Sequence, residues 1–133
     1  MQNILKFHHI GVACKNIERE LKFFEMLGYK PVSDVFVDPE QSIRGVFIAA
    51  EGQPQLELLE NIFEDGPLTG YLQKGTKFYH YAYETKDIEQ TIQQFISEGA
   101  MVVRPVVKAV YFNSVCFLML KNMMLVELVE KRD

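Results

Sequence analysis

The chain is short of several things, and each shortage removes a class of answer. It has only two cysteines in 133 residues, Cys14 and Cys116, and both sit in or beside apolar strand-like runs. That usage predicts buried free thiols in a reducing compartment rather than a disulfide or a metal pair. No apolar run approaches the roughly 18 residues needed to span a bilayer, so no membrane segment is expected. Residues Met1 to Lys6 show no basic region followed by an apolar core, so no signal peptide is expected and the location predicted is cytoplasmic. Cationic excess is missing too. A formal net charge of −4 and a pI near 5.4 argue against nucleic acid or an anionic membrane as partner. Low-complexity and linker-like stretches are absent.

What is present fits one soluble domain. Hydrophobic residues make up 48% and charged residues 24% of the chain, ordinary values for a globular protein. A chain of this length can bury roughly two-thirds of its unfolded surface.

The informative feature is a repeat. Phe7-His8-His9-Ile10-Gly11-Val12 returns as Phe78-Tyr79-His80-Tyr81-Ala82-Tyr83, and Lys15-Asn16-Ile17-Glu18 as Lys86-Asp87-Ile88-Glu89. Phe7/Phe78, His9/His80, Glu18/Glu89 and Gly28/Gly99 all stand 71 residues apart. Gln55 to Glu60 echoes Leu125 to Glu130 at an offset of 70, as when a loop loses one residue. In the first copy the pattern predicts a strand at 6–13 and a helix capped by Asn16. Ile17, Leu21, Phe24 and Leu27 form its apolar face, and Gly28 ends it. Strands follow at 29–37, 44–50 and 55–60, separated by Asp38-Pro39-Glu40-Gln41 and Glu51-Gly52-Gln53-Pro54. A joining segment is expected to hold one or two helical turns within 68–73. The second copy repeats the plan: a strand at 78–85, then a helix from Asp87 through Glu98 with Ile88, Ile92, Phe95 and Ile96 inward. Strands at 101–107, 115–120 and 124–130 complete it, with Pro105 marking an edge or bend. The expected fold is α+β, two tandem βαβββ modules (about 5–61 and 77–131) forming one curved mixed sheet around a metal site.

Each module supplies one histidine from its first strand and one glutamate from its last: His9 with Glu57, and His80 with Glu127. Strand alternation sets Glu57 opposite Leu56 and Leu58, and Glu127 opposite Val126 and Leu128, so each carboxylate points away from the helix-covered side. Two imidazoles and two carboxylates suit a divalent transition metal, whose charge the two glutamates cancel. Four protein ligands leave room for a substrate that chelates through two oxygens. A single strand histidine is more often a core residue than a ligand, but the same pair in both copies is hard to explain that way. His8, Glu60 and Glu130 fall on the other face or at strand ends and are expected to be solvent-exposed and structural.

These residues resemble the vicinal oxygen chelate superfamily of glyoxalases, bleomycin-resistance proteins and extradiol dioxygenases. Within it they look most like the methylmalonyl-CoA epimerases. The likeness is carried by His8-His9-Ile10-Gly11-Val12-Ala13, Asp38-Pro39-Glu40-Gln41, Leu56-Glu57-Leu58-Leu59-Glu60, Gly66-Pro67-Leu68 with Tyr71-Leu72, Tyr79-His80 with Asp87-Ile88, and Val126-Glu127-Leu128-Val129. It implies an isomerase that inverts the carbon beside a carbonyl through a metal-stabilised enolate. One divalent ion (Co, Zn, Ni, Mn or Fe) would be held by His9, Glu57, His80 and Glu127. It also implies Glu40 and Glu127 as the acid/base pair, and a homodimer. Without the resemblance, Glu40 reads as a solvated turn residue. The chain departs from the family where a glycine-rich basic stretch is usual. Lys108 to Ser114 carries Tyr111-Phe112 instead, leaving Lys108 and Lys121 as the obvious phosphate partners. A glyoxalase I-like lyase and a non-catalytic, resistance-type binding protein are the alternatives on the same chassis.

Overall fold

The computed structural model describes residues 5–132. Among these are nine strands and three helices: β1 (Lys6–Ala13), α1 (Ile17–Glu25), β2 (Lys30–Pro31), β3 (Phe36–Asp38), β4 (Ile43–Ala49), β5 (Leu56–Asn61), α2 (Thr69–Lys74), β6 (Phe78–Thr85), α3 (Ile88–Ser97), β7 (Met101–Lys108), β8 (Ser114–Met119) and β9 (Leu125–Glu130). The class is α+β, as the repeat indicates. Two compact units divide the described residues, one of residues 9–79 and the other of residues 5–8 with 80–132.

In the 9–79 unit the strands run β2-β4-β5-β1, with β3 also on β4. The β1/β5 pairing is parallel and the others antiparallel. Asn16 accepts from the amide of Arg19 to cap α1, satisfying one of the four donors that a helix start leaves open. Ile10, Val12, Ile17, Phe24, Tyr29, Val46, Ile48, Leu56 and Leu58 pack the α1 side of the sheet. Ala13, Ile43, Leu59 and Leu68 form a second cluster with Phe36, Tyr71, Leu72 and Tyr79. Two expectations change, one for the helix and one for the strand after it. The helix stops at Glu25, two residues short of Leu27, which is therefore exposed. The single strand expected at 29–37 is two short ones. The Phe47 amide, at the point where the ladder would continue, donates to the Ser33 hydroxyl oxygen (2.9 Å) instead of to a backbone carbonyl. The chain leaves the ladder there and rejoins it at Phe36, opposite Gly45. A Cβ at Gly45 would stand 2.8 Å from Cζ of Phe36, so any larger residue there has to push that ring aside.

In the other unit the order is β6-β9-β8-β7, with β6/β9 parallel. Asp87 caps α3 by accepting from the amide of Gln90. Ile88, Ile92, Cys116, Leu118, Val126 and Leu128 pack under the helix, with Tyr83, Phe95 and Leu5 against them. Ile96, expected inward, is exposed. Strand β7 is the last in this order and slips register on both sides of Arg104. Proline lacks the amide a regular ladder needs, so Pro105 is accommodated where the register has already shifted.

Candidate metal centre

In both units the glutamate of the last strand lies beside the histidine of the first. Glu57 pairs in register with Gly11 on β1, and Glu127 with Ala82 on β6. The histidine is two residues before that small residue, hence on the same face. Nothing bulky on the parallel neighbour separates the two groups. Nε2 of His9 lies 2.9 Å from Oε1 of Glu57, and Nε2 of His80 lies 3.0 Å from Oε1 of Glu127. All four side chains are buried: His9 is 0% exposed, Glu57 6%, His80 2% and Glu127 4%.

The antiparallel neighbours repeat as well. Phe47 stands opposite Glu57 and Phe117 opposite Glu127. Each phenyl ring meets its histidine edge to face, with centroids 5.1 Å apart in both units. Sequence reasoning missed this pair, although the offset of 70 between Phe47 and Phe117 was there to be read. The rings wall one side of each imidazole with apolar surface, and in unit 9–79 Phe36 stacks on Phe47 at 5.8 Å.

Each pair fits half of a divalent-metal site. Metal–nitrogen and metal–oxygen bonds are about 2.1 Å long, so ligand atoms at right angles stand about 3.0 Å apart. Both His–Glu distances match that spacing, with Nε2 and one carboxylate oxygen presented together. A buried carboxylate needs a compensating charge, and a dication would supply it.

Glu60 and Glu130, expected to be solvent-exposed, are half-buried and structural. Oε1 of Glu60 accepts from the amide of Ile17 (2.7 Å) while Oε2 accepts from Arg44 Nη1 (2.7 Å). Glu130 does the same at the other helix, accepting from the amide of Ile88 (3.3 Å) and from Asn113 Nδ2 (2.8 Å). A carboxylate at a helix N-terminus completes orphaned amides and meets the positive end of the dipole. Hydrogen bonding to Glu60 raises the Arg44 pKa further. His8 is half-buried, its ring edge-on to Phe112 at 5.0 Å.

Cys14 and Cys116 are free and buried on the helix sides of their sheets, away from the histidine faces. Burial pushes the Cys14 thiol up to about 12 and Cys116 to about 11. Glu40 is exposed in the turn after β3. Lys108 and Lys121 are exposed, at the end of β7 and in the β8–β9 turn. Tyr81 and Tyr83 lie on the strand face opposite His80, against Phe7. No helix among the described residues is long and apolar enough to cross a membrane.

Residues 8–117 match the glyoxalase/bleomycin resistance protein/dioxygenase superfamily, and the chain belongs to that family. A curated relative is the mitochondrial methylmalonyl-CoA epimerase of Mus musculus, 29% identical over 89 residues that make up 65% of this chain and 49% of the relative. The chain thus spans about half the length of the curated relatives it matches. Among solved structures, a hypothetical protein of Bacillus halodurans is 28% identical, with a TM-score of 0.83 over 97% of this chain and 96% of that one. A Streptomyces coelicolor methylmalonyl-CoA epimerase variant in complex with 2-nitronate-propionyl-CoA is 24% identical. Its TM-score is 0.80 over 96% of this chain and 98% of the other, a likeness of fold.

Proposed function

We propose that the protein is a metal-dependent epimerase or isomerase acting on the carbon next to a carbonyl, of the methylmalonyl-CoA epimerase type. One observation carries the reading: a buried histidine–glutamate pair built at the same register in both modules. In this proposal His9, Glu57, His80 and Glu127 together hold one divalent ion. When bound, such an ion supplies Lewis acidity toward two oxygens of a small substrate and so acidifies the C–H between them. The phenyl rings of Phe47 and Phe117 keep water from the imidazole edges, which strengthens charge interactions there. Glu40, with its carboxylate exposed, removes the proton from one face of the substrate. Glu127 is assigned the return of a proton to the opposite face, completing inversion; it takes that proton up from solvent between turnovers, while Glu40 releases to solvent the one it removed. The family likeness extends the proposal to a homodimer and to a thioester substrate.

The test is exchange of the α-proton with deuterated water, followed by NMR over 2-substituted malonyl thioesters, hemithioacetals and 2-oxo acids. Exchange on a malonyl thioester is expected, abolished in Glu40→Gln with metal content unchanged. Exchange confined to hemithioacetals would move the assignment to a glyoxalase-like lyase. No exchange on any class would return it to a binding protein.

A further inference from the structure

One buried carboxylate has no part in the chemistry above. Asp38 closes β3, is 1% exposed, and directly precedes the turn that carries Glu40. Its Oδ2 accepts from Gln41 Nε2 at 2.8 Å and its Oδ1 from the Gln41 amide at 3.3 Å. Beyond it, the Ser42 amide donates to the Pro39 carbonyl (3.3 Å), and the Ile62 amide donates to the Ser42 carbonyl (3.3 Å). Ser42 holds a φ of 58°, the left-handed region that a non-glycine residue enters at a cost. Asp38 and Ile43 pair in the ladder on either side, so both ends of the turn are tied down. An ordinary solvated turn needs neither a buried carboxyl group nor left-handed serine; glycine or asparagine would serve. Both costs fall on the four residues around one outward carboxylate, Glu40.

We infer that Asp38 is a positioning residue that, through Gln41, fixes the turn so that Glu40 meets the substrate carbon in one orientation. The inference rests on the acid/base role proposed for Glu40. Misplacing a catalytic group by about 1 Å can cost on the order of a hundredfold in rate, so the clamp should appear in turnover and not in substrate binding.

The experiment measures kcat and KM for α-proton exchange of methylmalonyl-CoA in deuterated water. It uses wild type, Asp38→Ala, Asp38→Asn, Gln41→Ala and Glu40→Gln, each shown to be folded by circular dichroism at the assay temperature. Asp38→Ala is expected to lower kcat about 10- to 100-fold with KM changed less than about threefold. Asp38→Asn should recover most of it, since its amide oxygen still accepts from Gln41 and the Gln41 amide can turn to pair with the new NH2. Gln41→Ala, which keeps the backbone bond and the fold, should fall between them and decides the matter if Asp38→Ala does not fold. Unchanged kcat in both Asp38→Ala and Gln41→Ala, with Glu40→Gln inactive, overturns the positioning role alone. A fully active Glu40→Gln overturns the acid/base reading and this inference with it.

Discussion

Replacing Glu57 by glutamine tests the proposed metal site without relying on any substrate. The side chain keeps its shape, so the β1/β5 register and the packing of Phe47 beside His9 should survive. What changes is charge. Bound as ligands, the two carboxylates would bring −2, which a dication cancels; with one glutamine the proposed set would bring −1 and lose its best oxygen donor. An ion that binds only the folded protein stabilises it by RT ln(1 + [L]/Kd), about 2.7 kcal/mol at a hundred times Kd. For a chain of this size each kcal/mol moves Tm by about 3 to 5 °C, so the wild-type protein should melt about 8 to 13 °C higher in cobalt or zinc than in chelator. Glu57→Gln should lose most of that increment while its melting temperature in chelator stays within about 4 °C of wild type. Differential scanning calorimetry with metal and with EDTA reads both numbers, and elemental analysis should return about one ion per wild-type chain. Equal melting in metal and chelator for the wild type would refute the four-ligand reading. So would an undiminished metal response in Glu57→Gln.

The helix-capping glutamates give a second test. Glu60→Ala removes a charged acceptor from the Ile17 amide and from the half-exposed Arg44, and should cost about 2 kcal/mol in urea unfolding. Glu130→Ala, whose bonds to Ile88 and Asn113 lack a cationic partner, should cost about 1 kcal/mol. Equal and negligible losses would show that neither carboxylate supports its helix. The thiols give a pH test. A thiol whose folded pKa is raised contributes stability fully present below its unfolded value near 9 and lost as pH climbs toward about 12 for Cys14. Native protein should therefore resist a thiol reagent at pH 8 and lose stability between pH 9 and 12, a loss that Cys14→Ala reduces; rapid labelling of native protein at pH 8 would contradict the burial.

Much of this was legible in one dimension. Strands β1 and β6 begin and end where β-branched and aromatic alternation says they should, and Asn16 and Asp87 cap helices as short polar side chains before an apolar period do. These are local effects of backbone geometry and side-chain reach, so a window of a few residues carries them. The His–Glu pairs were legible for a different reason: duplication writes the same spatial arrangement twice, and the offset exposes it. The broken strand after Pro31 was not legible, because it depends on a serine hydroxyl meeting an amide 14 residues away. Nor were the roles of Glu60 and Glu130. A carboxylate at a strand end looks solvated until the chain folds a helix N-terminus onto it. By itself the sequence determined the class of fold and singled out the four residues proposed as ligands, since periodicity and repetition need no third dimension. Only the tertiary structure decided which carboxylates are buried, which phenyl ring stands against each imidazole and that Asp38 is turned inward under the Glu40 turn. Those facts depend on which distant strands meet, and at what register.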